Sequence, residues 1–160
     1  MSHIVEVELV IQHLDLLEKA AEYLGLEWRD QRTYRWYGRS VGDYPLPEGV
    51  TEDDLGKCEF AIGVPGNKKA YEVGVVKRKD GKGYSLQMDF FAGGFGLCDF
   101  VGEKVAKSKN RDTRIGHNCF KLANCYAAFV TARATARKGY STRVSSDANG
   151  RFLVTSTSKT

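Results

Sequence analysis

The stretch AYEVGVVKRKDGKGYSLQMDFF, residues 70–91, decides the architecture. Its two apolar runs flank Asp80-Gly81, a dipeptide suited to a tight hairpin turn, and the register follows by counting outward. Lys79 faces Lys82, Val75 faces Leu86, Val73 faces Met88 and Tyr71 faces Phe90. On the opposite side Val76 faces Ser85, Gly74 faces Gln87 and Glu72 faces Asp89. Because side chains alternate along a strand, the hairpin has one greasy face for a helical layer and one polar, uncovered face.

The flanking sequence supplies the rest of the sheet and its helices. Residues 3–11 alternate, with Val5, Val7, Leu9 and Ile11 on one side, which predicts a half-buried strand. Leu14, Leu17, Ala20, Ala21 and Leu24 recur at helical spacing before Gly25, a helix terminator. Residues 27–38 alternate again, Trp28, Tyr34 and Trp36 sharing one parity, and predict a strand. A long loop over 39–57, with one helical turn from Thr51, and a short strand over 58–64 lead into the hairpin.

After AGGFG (92–96), a short helix is expected over 97–107 and a longer one over 119–138, its stripe being Phe120, Ala123, Tyr126, Ala127, Val130 and Ala134. Asn118 is the expected N-cap and Gly139 the terminator. A second hairpin turning at Asn149-Gly150 closes the chain. The order β-α-β-β-β-β-α-α-β-β predicts a single α+β domain over 1–160: one largely antiparallel sheet with two main helices on one face. The two βα units also suggest a distant likeness to ferredoxin-type layering.

The chain has 160 residues, 42% hydrophobic and 28% charged, the profile of an ordinary globular protein. No apolar run approaches the ~18 residues a membrane span needs, and Glu6 and Glu8 interrupt the first apolar run, so an intracellular, cytoplasmic protein is expected. Charge is uneven: residues 1–60 hold 6 Lys/Arg against 13 Asp/Glu, and residues 101–143 hold 10 against 2. The basic half suggests nucleic acid, an acidic partner, or neutralisation within the fold.

Glu72 and Asp89 are the candidate acid pair. Like charges opposed on a sheet repel unless something intervenes. An arginine from the Arg29/Arg35/Arg39 segment could lie between them. One carboxyl could keep a proton, which suits acid-base catalysis with Arg35 or Arg39 anchoring a substrate. A bound cation could bridge them, with Glu6 or Glu8 adding oxygens. No metal is assigned to His117, Cys119 and Cys125, because the two cysteines, six apart on a helix, do not face the same way, and no cofactor is expected. AGGFG lacks the spacing and the Lys-Ser/Thr ending of a phosphate loop.

Nucleic acid is the alternative partner. Lys104, Lys107, Lys109, Arg111, Arg114 and Arg137 would contact phosphates, with Trp28, Tyr34, Trp36 and Tyr37 as stacking surfaces. The first expectation is instead a non-enzymatic accessory protein with an unidentified protein partner, contacting a macromolecule through the open sheet face or the basic helix and loop.

The chain as a whole, through MSH (1–3), LGLEW (24–28), RTYRWYGR (32–39), YEVGVV (71–76), GYSLQMDFF (83–91) and LANCYAAFVTARATARKGY (122–140), resembles the family of hypothetical chloroplast reading frame 35. Its members occur in plastids, cyanobacteria and bacteriophages. The long loop around VGDYPLPEGVTEDDLGKC (41–58) is more like the viral members. The resemblance implies an intracellular accessory protein encoded by a phage, and brings no catalytic residues with it.

Overall fold

The computed structural model describes residues 4–38, 51–102, 119–147 and 151–158. Its elements follow the predicted order: β1 (Ile4–Ile11), α1 (Leu14–Tyr23), β2 (Glu27–Arg29), β3 (Phe60–Gly63), β4 (Val73–Lys77), β5 (Tyr84–Asp89), α2 (Leu97–Val101), α3 (Phe120–Arg137), β6 (Tyr140–Ser146) and β7 (Phe152–Ser158). The fold is α+β. A five-stranded antiparallel sheet has the order β1-β5-β4-β3-β2, and β6 and β7 form a separate two-stranded sheet rather than joining it. Strands β2 to β5 are a meander and β1 closes its far edge, which departs from the ferredoxin-type order.

The central hairpin has the predicted register, with Gly74 opposite Gln87, Val75 opposite Leu86 and Val76 opposite Ser85. The turn itself differs. Arg78 N–H bonds to Gly83 O at 2.9 Å and Gly81 N–H to Arg78 O at 3.1 Å, so four residues, not two, make the loop. Only the glycines take positive φ there, and Asp80 Oδ1 instead accepts from Lys82 N–H at 2.9 Å. Lengthening the loop by one residue on each side keeps the same residues opposite one another, which is why the register survives the change of turn.

The greasy face carries the main core. Val7, Ile62, Val73, Val75, Leu86 and Met88 pack with Leu16, Leu17, Ala20 and Ala21 of α1 and with Leu122, Cys125, Tyr126 and Phe129 of α3. Both long helices therefore cover one side of the sheet. The Tyr126 hydroxyl accepts from the Gln12 and His13 N–H groups at 3.2 and 3.3 Å, tying α3 to the start of α1, where no side chain caps the helix.

Three expectations are corrected. The buried stripe of α3 is Leu122, Cys125, Tyr126, Phe129 and Ala132, while Phe120 is 54% exposed and Ala127 and Ala134 face solvent. The true stripe is rotated by one residue, about 100°. Alanines surround this helix, so its apolar pattern does not single out one face. The helix begins after Cys119, which sits in the left-handed region at φ 44°; the predicted cap Asn118 and the turn at Asn149-Gly150 lie outside the described residues.

The second correction concerns residues 27–38. Only Glu27–Arg29 pair as a strand, and residues 30–38 then leave the sheet edge and cross the polar face as a strap. Third, Asp89 is not on an uncovered side: it is 0% exposed, because that strap lies over it. Alternation continues through Tyr34 and Trp36, but it reads burial against a sheet face, not pairing within a sheet.

Candidate functional site

The strap is fixed to the polar face by side chains at the end of the central hairpin. Thr33 bridges to Lys57, and Tyr34 N–H bonds to Gly56 O at 2.9 Å. At the next step the strap takes over from β5 as the backbone partner of Glu72, whose N–H bonds to Arg35 O at 3.0 Å. Glycines clear the ground on this face: a Cβ on Gly74 would overlap the Tyr34 ring of the strap, and one on Gly63 would overlap the guanidinium of Arg29, the β2 residue from which the strap departs. Tyr34, Cys58 and Ala61 make a small second core there, with Trp36 and Val76 at its rim.

The like-charge question is answered by this strap. Glu72 is 3% exposed, and its carboxylate accepts from Arg35 N–H at 2.7 Å, Arg29 Nη1 at 2.8 Å and Gln31 Nε2 at 3.0 Å. Arg29 also reaches Glu27 at 2.9 Å. Asp89 accepts from Tyr37 N–H at 3.0 Å. Of the two opposed acids Arg29 pairs with Glu72, and each acid accepts from a different strap amide, Arg35 N–H for Glu72 and Tyr37 N–H for Asp89. The Arg35 guanidinium donates to Ala70 O at 2.8 Å. What the arrangement does chemically is anchor the strap.

Beside the anchor, the chain makes a left-handed turn. Ala92, Gly93, Gly94 and Phe95 all have φ between 52° and 65°, a conformation costly for residues with a Cβ. Tyr71 N–H bonds to Gly94 O at 2.8 Å, and the Tyr71 and Phe95 rings meet edge to face at 5.1 Å. Burial, then the charge of Asp89, raises the Tyr71 phenol pKa.

The strap leaves part of the polar face open as a groove of about 610 Å³, lined by Glu6, Ser85, Gln87, Val76 and Cys58 and rimmed by Asp54, Lys57, Glu59, Lys77, Arg78, Lys79 and Asp80. Glu6 and Gln87 are direct partners across β1 and β5. Gln87 is 3% exposed, and its Oε1 accepts from the Tyr34 hydroxyl at 3.2 Å. Burial holds that phenol far above its ordinary value, so it stays a donor. Arg78 bonds to Asp80 at 2.9 Å and reaches Ser85 Oγ at 3.4 Å; its pKa is raised by the Asp80 bond, with the charges of Asp80 and Glu6 adding to it. Lys79 pairs with Asp54 at 3.3 Å. The Cys58 thiol is pushed up to about 12, chiefly by burial, and is no nucleophile near neutral pH.

Of the residues expected to bind, Arg35 is on the strap and Arg137 is exposed at the end of α3, whereas Arg39, Lys104, Lys107, Lys109, Arg111 and Arg114 lie outside the described residues, as does His117. Cys119 and Cys125 are buried in the main core. Among the described residues no group of three His, Cys, Asp or Glu side chains is placed to hold a metal ion, and no helix is long and apolar enough to cross a membrane. Ser85 and Gln87 alternated onto the polar face in the sequence, but no motif marked them as groove residues. No family model matches the chain, and no curated protein or solved structure matches it either.

Proposed function

We propose that this is a non-enzymatic, intracellular binding or accessory protein that engages a macromolecular partner through the groove-bearing face of its main sheet. The observation that carries the reading is the burial of Glu72 and Asp89 at 3% and 0%, with their oxygens bonded to the strap. General acid-base work needs a carboxyl that reaches a substrate, and these two reach the strap. The neighbouring groove, by contrast, is open and rimmed by charges of both signs. An accessory role in a phage setting is proposed on the sequence resemblance to the chloroplast reading frame 35 family alone.

The basic helix is the competing surface. Arg137 makes no ion pair among the described residues, but Arg133 is bonded to Asp15, and Lys121 and Lys138 stand about 25 Å apart along α3. Affinity capture from host cells with quantitative mass spectrometry separates the two surfaces. A partner lost from the Lys57→Glu/Lys77→Glu double variant and kept by Arg137→Glu supports the groove face. Loss from Arg137→Glu alone, or equal capture by all three proteins, rejects it.

A further inference from the structure

Gln87 holds the most specific chemistry in the groove. Its amide is buried, and its oxygen is taken by the Tyr34 hydroxyl, so the orientation of the amide is fixed and Nε2 is the end left for the groove. That nitrogen has no protein partner among the described residues. A buried amide with unmatched N–H donors is costly unless a ligand or water completes it. Its cross-strand partner Glu6 also lines the groove; its carboxylate makes no hydrogen bond or ion pair among the described residues, and its charge acts on Arg78 at the rim.

Directly paired residues on one face of a sheet have Cβ atoms about 5 Å apart, so these two side chains can address neighbouring atoms of a single small ring. One offers only N–H donors, and the other only acceptor oxygens. The complementary ligand has a carbonyl oxygen next to a ring N–H. The groove volume of about 610 Å³ lies within the range of small-molecule sites.

We propose that the groove binds a planar cyclic-amide edge of the kind guanine carries, Glu6 accepting from the ring N–H and Gln87 Nε2 donating to the adjacent carbonyl. Tyr34 is a positioning residue, because its hydroxyl sets which end of the Gln87 amide faces the ligand. Adenine presents the reverse pattern, an amino group where guanine has the carbonyl and a lone pair where it has the N–H. It would set donor against donor at Gln87 and lone pair against carboxylate at Glu6. Lys57 and Lys77 on the rim can take a phosphate substituent without being required for the base. The proposal deepens the reading above, since it places a ligand in the groove of the face assigned to the partner.

Isothermal titration of the whole protein with guanosine, guanosine 5′-monophosphate and adenosine tests it. The expected result is saturable binding of both guanine compounds, with adenosine at least tenfold weaker. Glu6→Gln is expected to weaken guanosine by about 10- to 100-fold, the worth of one charge-assisted bond, with the protein still folded, since the Glu6 carboxylate makes no hydrogen bond among the described residues and its charge acts only at a distance on Arg78. Tyr34→Phe frees the amide to turn over and should narrow the guanosine/adenosine preference. No saturable heat with either guanine compound, equal binding of adenosine, binding of the monophosphate without guanosine, or indifference to Glu6→Gln overturns the proposal. Failure here with the groove-dependent partner capture intact rejects the ligand and not the partner surface.

Discussion

Replacing Glu72 by Gln tests whether the acid pair repels or anchors. The substitution keeps the size of the side chain and removes its charge. In the folded protein Oε1 accepts from Arg35 N–H at 2.7 Å, while Oε2 accepts from Arg29 Nη1 at 2.8 Å and Gln31 Nε2 at 3.0 Å. A glutamine that keeps its oxygen toward Arg29 and Gln31 turns its amide nitrogen against the Arg35 N–H. A buried donor then loses its acceptor, at about 1–3 kcal/mol, and the bond from Arg29 loses its charge assistance, at about 1 kcal/mol. The second figure is held low because the Arg29 side chain is 22% exposed. The sum is about 2–4 kcal/mol, or a Tm lower by about 5–15 °C for a domain of this size. Calorimetry of wild type, Glu72→Gln and the exposed control Glu59→Gln measures it, and hydrogen exchange should show the Arg35 and Tyr37 amides losing protection first. If like-charge repulsion between Glu72 and Asp89 dominated, the variant would be more stable. A Tm that rises or stays level refutes the anchoring argument.

Gly74→Ala places a methyl group into the Tyr34 ring and should cost about 1–3 kcal/mol by overpacking; in a Tyr34→Ala background the same change should cost almost nothing, and a constant cost in both would show that the strap does not lie on this glycine. Ala92→Gly should stabilise the protein by up to about 1 kcal/mol, since Ala92 is exposed and held at φ 52°; a lower Tm would count against the left-handed turn. The thiols of Cys58 and Cys125 are raised from 9.0 to about 12 by burial, and the Tyr34 phenol is raised as well. Their neutral forms are favoured in the fold, so the contribution of the two thiols is complete below pH 9 and is lost between pH 9 and 12 as the unfolded chain ionises, and that of Tyr34 is complete below pH 10 and is lost above it. Tm measured at pH 7.5, 9 and 10.5 should fall over the last two points, and alanine at both cysteines should flatten that fall.

The sheet was legible because two independent constraints agree at the central hairpin. Alternation sets which side chains share a face, and a turn centred on Asp80-Gly81 sets what lies opposite what; a change from a two- to a four-residue loop alters neither. The strap was not legible, for a physical reason. Tyr34 and Trp36 are spaced as strand residues because a segment crossing a sheet buries alternate side chains much as an edge strand does. The difference lies in where its backbone N–H groups go, and no side-chain pattern records that Arg35 and Tyr37 donate to two carboxylates rather than to a neighbouring strand. A trace does remain in the glycines. Gly63 and Gly74 lie inside β3 and β4, where glycine weakens a strand and marks a close approach. They are paired with Glu27 and Gln87 on the polar face, and two missing Cβ atoms there, beside two buried acids, are what a covering segment requires. The groove begins where that clearance ends, at Val76 and Ser85, and Gln87 stands at the boundary, holding the Tyr34 hydroxyl of the strap on its oxygen while lining the open side.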